Sequence, residues 1–148
     1  MSTQTLVKDY HCSITAGVSA KEAFEKIARV GDWWAVDFKG SAKRTGDAFT
    51  VTFGETFVDF TISEAIADKK IIWQVTDCNL HWIDNKKEWN GTKIIWEVSS
   101  RNGSTQVDMT HVGLVPGVEC YEMCKPGWDH HIKDSLLELI TTGKGLPE

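Results

Sequence analysis

Residues 127–145 read GWDHHIKDSLLELITTGKG, and the predicted architecture depends on this segment. Its apolar residues recur at spacings of three and four, which places them on one face of an α-helix. They are Trp128, Ile132, Leu136, Leu139 and Ile140. Gly143 suits the left-handed residue that ends a helix, so the helix should span roughly 17 residues and about 25 Å. Pro126 either begins this helix or kinks one that starts near Glu119.

The chain before this helix is almost entirely strand-like, so the apolar face of the helix should pack on a sheet. Alternating apolar and polar residues predict a first strand over Leu6 to Thr15 and a meander of about six strands over Phe38 to Val115. Asn90-Gly91 and Asn102-Gly103 are dipeptides that favour type I′ hairpin turns. The segment from Asn79 to Asn90 is long for a hairpin connection and is predicted to be a mobile or rim-forming loop.

Two short helices should follow the first strand. Ser19 and Glu22 have the spacing of a capping box, and Asp32-Trp33-Trp34 is expected to open a further single turn. The predicted fold class is therefore α+β, with a curved antiparallel sheet of about seven strands wrapped around the long C-terminal helix. A curved sheet that grips one helix leaves a gap, and that gap is the candidate site.

Size and charge exclude several classes of function. A chain of 148 residues with no linker or repeat is predicted to be a single domain over residues 1–148. The net charge of −5 and the absence of a basic run argue against nucleic acid as a partner. No signal peptide and no run of about eighteen apolar residues is present, so a membrane partner is not expected and the predicted location is the cytoplasm.

The cysteines are predicted to be reduced thiols, since the cytosol keeps them so. They are Cys12, Cys78, Cys120 and Cys124. The pair Cys120 and Cys124 precedes His130 and His131, which invites a zinc site. However, the cysteines lack Cys-x-x-Cys spacing, and Pro126-Gly127 lies between the two pairs. Neither a metal nor a cofactor is therefore predicted.

Several motifs carry a resemblance to a known family. They are Thr110-His111-Val112-Gly113-Leu114, Cys120-Tyr121-Glu122, Gly127-Trp128, the run from Ser135-Leu136-Leu137 to Thr142-Gly143-Lys144-Gly145, and Trp33-Trp34 after the first short helix. Together they resemble the activator-of-heat-shock-protein-90-ATPase homologue (AHSA-type) family of the START-like, or SRPBCC, helix-grip superfamily. The resemblance implies a hydrophobic cavity between the sheet and the long helix, with activities that range from ligand carriage to cyclisation. The eukaryotic activator has an additional amino-terminal domain for which this chain leaves no room, so the resemblance gives chaperone activation little support.

The composition is unusual in its seven tryptophans. Each one either fills the core or forms the wall or rim of a cavity. The strand and helix patterns predict that eight residues face the gap and contact a ligand: Phe60, Trp73, Trp96, Met109, His111, Tyr121, Trp128 and Ile132.

His111 is the best candidate for proton transfer, because alternation places it on the apolar face of its strand. The alternative is a buried, neutral histidine whose hydrogen bonds are satisfied. Tyr121 either points its hydroxyl at the same space or packs in the core. His130 and His131 face different directions on the helix, so at most one of them looks inward, and His131 is the candidate.

Three functions follow, in order of preference. The first is binding of a small apolar or aromatic molecule in the cavity, without catalysis. The second is an enzyme of the polyketide cyclase or hydrolase type that uses His111 with Tyr121. The third is a co-chaperone-like module that binds a heat-shock-protein-90 ATPase. The protein is expected to be a monomer or a dimer.

Overall fold

In a computed structural model, residues 8–148 form one curved antiparallel sheet and a set of helices packed against it. The seven strands are β1 (Tyr10–Ala16), β2 (Asp37–Gly40), β3 (Ala48–Phe53), β4 (Thr56–Ile66), β5 (Lys70–Asn79), β6 (Lys93–Arg101) and β7 (Ser104–Val112). Their order in the sheet is β1-β7-β6-β5-β4-β3-β2. The predicted meander and the predicted number of strands are therefore confirmed.

The first strand, β1, pairs with the last strand, β7, and forms one edge of the sheet. Tyr10 pairs with His111 and Ala16 pairs with Thr105 in an antiparallel register. Side chains of β1 alternate strictly between buried and exposed, as expected for a strand with one face on the core. The predicted start of this strand at Leu6 lies outside the described residues.

The two Asn-Gly dipeptides differ in structure. Asn102 and Gly103 both have positive φ, 46° and 85°, and join β6 to β7 in the predicted tight hairpin. At the other dipeptide only Gly91 has positive φ, so the predicted type I′ turn there is wrong. Instead, the amide of Gly91 donates to the carbonyl of Val75 at 3.2 Å, which ends a longer loop over residues 80–92.

Two short helices follow β1, as predicted. They are α1 (Ala20–Ala28) and α2 (Val30–Trp33). The hydroxyl of Ser19 accepts a hydrogen bond from the amide of Glu22 at 3.1 Å, which caps the first turn of α1.

The C-terminal helix is longer than the predicted segment. It consists of α3 (Tyr121–Asp129), a π-helical segment (His130–Leu136) and α4 (Leu137–Thr142), which follow one another without a break. Pro126 lies inside α3, so it does not begin the helix. Gly143 ends it with φ of 89°, as predicted. All five residues of the predicted apolar face are buried.

Aromatic side chains fill much of the space between the sheet and this helix. Trp33, Trp73 and Trp96 are completely buried. Trp33 packs on Trp73 and Trp96 with ring centroids 6.4 Å and 5.6 Å apart. The centre of the molecule is therefore a solid aromatic core.

The chain after the helix folds back onto the α2 region. The hydroxyl of Ser135 donates to the carbonyl of Trp33 at 2.6 Å and accepts from the amide of Leu146 at 2.7 Å. Further along, the amide of Glu148 donates to the carbonyl of Trp34 at 3.0 Å. Because Ser135 is buried, its hydroxyl fixes the helix, α2 and the last residues relative to one another.

The cysteines separate into two kinds. Cys12 and Cys78 are buried free thiols, as predicted. The Sγ atoms of Cys120 and Cys124 face each other one helical turn apart at the start of α3, and their Cα atoms are 5.4 Å apart. That Cα separation is compatible with a disulfide, so these two thiols are close enough to be bridged on oxidation, and their reduced state stays a prediction.

Among the described residues, no helix is both long and apolar enough to cross a membrane.

Replacing Gly145 with alanine should destabilise the fold. A Cβ atom there would collide with the main-chain oxygen of Asp32 and press on the carbonyl of Ser135. We expect Gly145→Ala to lower the free energy of unfolding in urea by about 1 to 3 kcal/mol. Gly17→Ala is the matched control, because nothing lies within 4 Å of a Cβ atom at Gly17. Equal stabilities of the two variants would contradict the close approach at Gly145.

Candidate functional site

A cavity of about 250 Å³ lies at one end of the C-terminal helix, between α3, the β3–β4 hairpin and the loop over residues 80–92. Its lining is mostly aromatic and apolar. The lining residues are Trp34, Phe53, Thr56, Val58, Trp82, Trp89, Met123, Cys124, Gly127, Trp128, His131 and Glu148.

Three tryptophans form the walls. The rings of Trp34 and Trp128 have centroids 4.9 Å apart, and those of Trp89 and Trp128 lie 6.0 Å apart and nearly parallel. All three side chains are buried. The three rings therefore pack against one another, and the surface that they leave uncovered gives the cavity an apolar wall.

The mouth of the cavity carries two exposed apolar side chains. Trp82 is 41% exposed and Met123 is 57% exposed, which is unusual for side chains of this size. They come from different elements, the 80–92 loop and α3. Exposed apolar side chains at an opening are typical of a binding site.

His111 holds two of the walls in place from behind. Its Nδ1 accepts a hydrogen bond from the indole N–H of Trp128 at 3.2 Å, and its Nε2 lies 2.9 Å from the hydroxyl of Thr92. That hydroxyl donates to the carbonyl of Trp89 at 2.7 Å. Since Nδ1 is an acceptor, the proton sits on Nε2 and points to Thr92. One strand residue therefore links the helix to the loop.

Burial keeps this histidine neutral. Removal of the ring from water lowers the pKa of His111 from its ordinary value of 6.5 to about 3. Both ring nitrogens are occupied by hydrogen bonds inside the protein, and His111 does not line the cavity. This geometry fits the satisfied, structural histidine rather than a catalytic acid or base.

The loop over residues 80–92 is fastened to the start of α3 by two carboxylates. The side chain of Glu119 accepts from the amides of Asp84 and Asn85 at 2.7 Å and 2.8 Å. The side chain of Glu88 in turn accepts from the amides of Glu119 and Cys120 at 3.1 Å and 3.0 Å. The hydrogen bonds from the main-chain amides of Asn85 and Asp84, with that from Asn85 contributing most, hold the pKa of the Glu119 carboxyl below its usual range. The loop is thus held as a wall.

The polar groups of the cavity are few. His131 and Glu148 lie on the lining, and Nδ1 of His131 is buried with no hydrogen-bond partner among residues 8–148. The same is true of the indole N–H of Trp89. Burial lowers the pKa of His131, and the nearby Glu148 carboxylate opposes this shift. The polar side chains on the lining itself are Thr56, the neutral imidazole of His131 and the carboxylate-bearing Glu148.

The eight predicted contact residues lie in three places: at the cavity wall, in the first turn of α3 and in the core. Trp128 lies on the cavity wall, and His111 lies directly behind it. Tyr121 is half-buried in the first turn of α3, away from the lining. The other five are packed in the aromatic and aliphatic core: Phe60, Trp73, Trp96, Met109 and Ile132. Contact of these eight residues with a ligand stays a prediction.

The sequence patterns did not indicate most of the lining. Trp82 and Trp89 belong to the loop predicted to form a rim, and His131 was the inward-facing candidate of its pair. Trp34, Phe53 and Glu148 were not indicated as cavity residues. Trp34 had a signal in the Trp33-Trp34 pair, whereas Glu148 has none, because only the fold brings it to the cavity.

No family model matches the sequence, and no curated protein matches it significantly. Solved structures do match. The solution structure of the Aha1 dimer from Colwellia psychrerythraea superposes with a TM-score of 0.75 at 21% identity, over 93% of this chain and 98% of that one. CalU16 from Micromonospora echinospora superposes with a TM-score of 0.64 at 10% identity, over 89% of this chain and 74% of that one.

A third similar structure is DynU16, a protein of the dynemicin biosynthetic locus, with a TM-score of 0.69 and 16% identity. The match covers 91% of this chain and 48% of DynU16. These likenesses show that the chain shares the fold of these proteins, a curved antiparallel sheet with a long C-terminal helix packed on it, which confirms the predicted fold. At such low identity the comparison establishes the architecture only. Function has to be argued from the residues of the site.

The neutral state of His111 predicts a dependence of stability on pH. The pKa is about 3 in the folded state and 6.5 when exposed, so below pH 6.5 the unfolded chain takes up a proton that the folded protein does not. Stability from this residue is complete above pH 6.5 and is lost progressively as the pH falls toward 3. Between pH 7 and pH 5 the loss should be about 2 kcal/mol.

Urea unfolding of wild type and His111→Gln at the two pH values measures this loss, and the variant should show the smaller fall. His81→Gln serves as the control, since His81 is exposed at the surface. Equal falls in the wild type and in His111→Gln would contradict a neutral buried imidazole.

Proposed function

We propose that the protein binds a small planar aromatic molecule in the cavity beside Trp128. The observation that supports this most directly is that Trp34, Trp89 and Trp128 all line one space of about 250 Å³. Aromatic walls bind a flat ligand through offset stacking and edge contacts, which add to the burial of apolar area.

The volume limits the size of the ligand. An apolar cavity of about 150 Å³ is large enough to hold benzene, so a space of about 250 Å³ suits one ring with substituents or two fused rings. Lipids with long chains and large polycyclic compounds exceed it. The exposed Trp82 and Met123 give the ligand further apolar contact at the mouth.

The polar side chains on the lining suggest one more property of the ligand. They belong to Thr56, His131 and Glu148. A ligand with a polar group at its edge would pair with one of them, whereas the indole N–H of Trp89 is buried out of reach of the cavity.

The two other predicted functions have less support. Catalysis by His111 with Tyr121 requires the two side chains to meet in the cavity, whereas neither lies on its lining. Binding to a heat-shock-protein-90 ATPase would follow from the likeness to the Aha1 structure, but that likeness is one of fold. Both stay predictions, as does the cytoplasmic location.

Filling the cavity should block the proposed ligand. Gly127 lines the cavity, and nothing lies within 4 Å of a Cβ atom built there, so Gly127→Leu adds a side chain without a main-chain clash. We expect this variant to weaken binding of indole or 2-naphthol at least tenfold, measured by isothermal titration calorimetry. The reason is loss of the space that the ring would occupy.

Gly17→Leu is the matched control, because it introduces the same side chain at a glycine that is also open but lies outside the cavity. It should bind the probes like the wild type. If neither probe binds to the wild type, or if Gly127→Leu binds them with unchanged affinity, the cavity is not the binding site for such molecules.

A further inference from the structure

Two histidines and one carboxylate converge beside the mouth of the cavity. Ligand atoms of His130, His131 and Glu148 all lie within 4.8 Å of one another. The nearest pair, Nε2 of His130 and Oε2 of Glu148, is 3.5 Å apart. From this arrangement we propose that the three residues form a binding site for a divalent transition-metal ion of the zinc type.

The distances fit such an ion. With metal–nitrogen and metal–oxygen bonds of about 2.0 to 2.2 Å, two ligands of a tetrahedral ion lie about 3.3 Å apart. The His130–Glu148 pair is already close to this separation. Because the whole set is bounded at 4.8 Å, the third ligand has to move closer when an ion binds.

The surroundings of His130 match those of a metal ligand. Its Nδ1 lies 2.9 Å from the carboxylate of Asp134, one helical turn further on. This contact places the proton on Nδ1 and leaves Nε2 free to face Glu148. A carboxylate behind the far nitrogen is the usual device by which proteins orient a histidine ligand and increase its basicity.

Independent features of the chain also converge here. His130 and His131 begin the π-helical segment, and π-helical turns occur frequently at functional sites. Nδ1 of His131 has no hydrogen-bond partner in the described part of the chain. Glu148 is held in position through its main chain, which exchanges hydrogen bonds of 3.0 Å and 2.9 Å with Trp34 and Val36. The fold therefore brings the main chain of Glu148 beside the two histidines.

The donor set indicates the class of ion. Two imidazole nitrogens and one carboxylate oxygen suit zinc and related divalent transition metals, while calcium and magnesium prefer sites made only of oxygen. Three protein ligands also leave a coordination position open. Because His131 and Glu148 line the cavity, that position would face its interior. The sequence alone predicts no metal here, because it suggests only Cys120 and Cys124 as partners for the two histidines.

The test uses zinc alone, so its result is separate from that of the aromatic ligand. Chelator-treated protein at pH 7 is titrated with Zn²⁺ by calorimetry, and we expect one ion per chain with micromolar or tighter affinity. His131→Gln and Glu148→Gln should each weaken binding at least tenfold. Asp134→Asn should weaken it about tenfold through the orientation of His130.

His81→Gln is the matched control, because His81 also pairs with a surface carboxylate, Glu55, at 3.1 Å but has no third ligand. It should bind Zn²⁺ like the wild type. Co²⁺ distinguishes this site from one at the cysteines, since nitrogen and oxygen ligands give visible bands without sulfur charge transfer. Absence of a stoichiometric site, unchanged affinity in His131→Gln and Glu148→Gln, or a sulfur charge-transfer band would overturn the proposal and leave an ordinary surface ion pair.

Discussion

The buried hydrogen bond between Trp128 and His111 is the contact on which the site depends. It ties the C-terminal helix to β7, and Thr92 extends it from β7 to the loop that carries Trp89. A protonated His111 would have no lone pair for the indole, so the bridge requires the neutral imidazole. The same desolvation that lowers the pKa of His111 therefore gives the helix a fixed position on the sheet.

The bulk of the tryptophan side chains explains why the cavity lies at one end of the helix. Trp33 and Trp34 stack at 6.1 Å and extend towards Trp73, which takes up the middle of the space under the sheet. On the face of the sheet that is turned to the helix, the side chains are therefore packed against one another. The cavity lies beyond Trp34, where the 80–92 loop and the β3–β4 hairpin both form its walls.

The sequence predicted the fold better than the site, and the reason is the range of the contacts. Periodicity identified the buried face of the helix, and Asn102-Gly103 and Ser19 act through neighbours in the chain, so local patterns sufficed. The cavity depends on which side chains fill a shared volume and on a chain end that folds back through Ser135 to bring Glu148 beside the mouth. Neither property is encoded in a local pattern, because both depend on contacts between distant parts of the chain, such as the hydrogen bond between Ser135 and Trp33, which are 102 positions apart.

Pro126 destabilises α3 locally, and contacts from outside the helix offset this destabilisation. A proline inside a helix removes a main-chain hydrogen bond and disfavours the preceding turn, at about 3 kcal/mol. Here that turn is held from outside, because the side chain of Glu88 accepts a hydrogen bond from the amide of Cys120. The first turn of α3 therefore depends on the loop as much as on its own helix. Since both elements wall the cavity, a loop displaced from Cys120 would open the cavity and loosen the helix together.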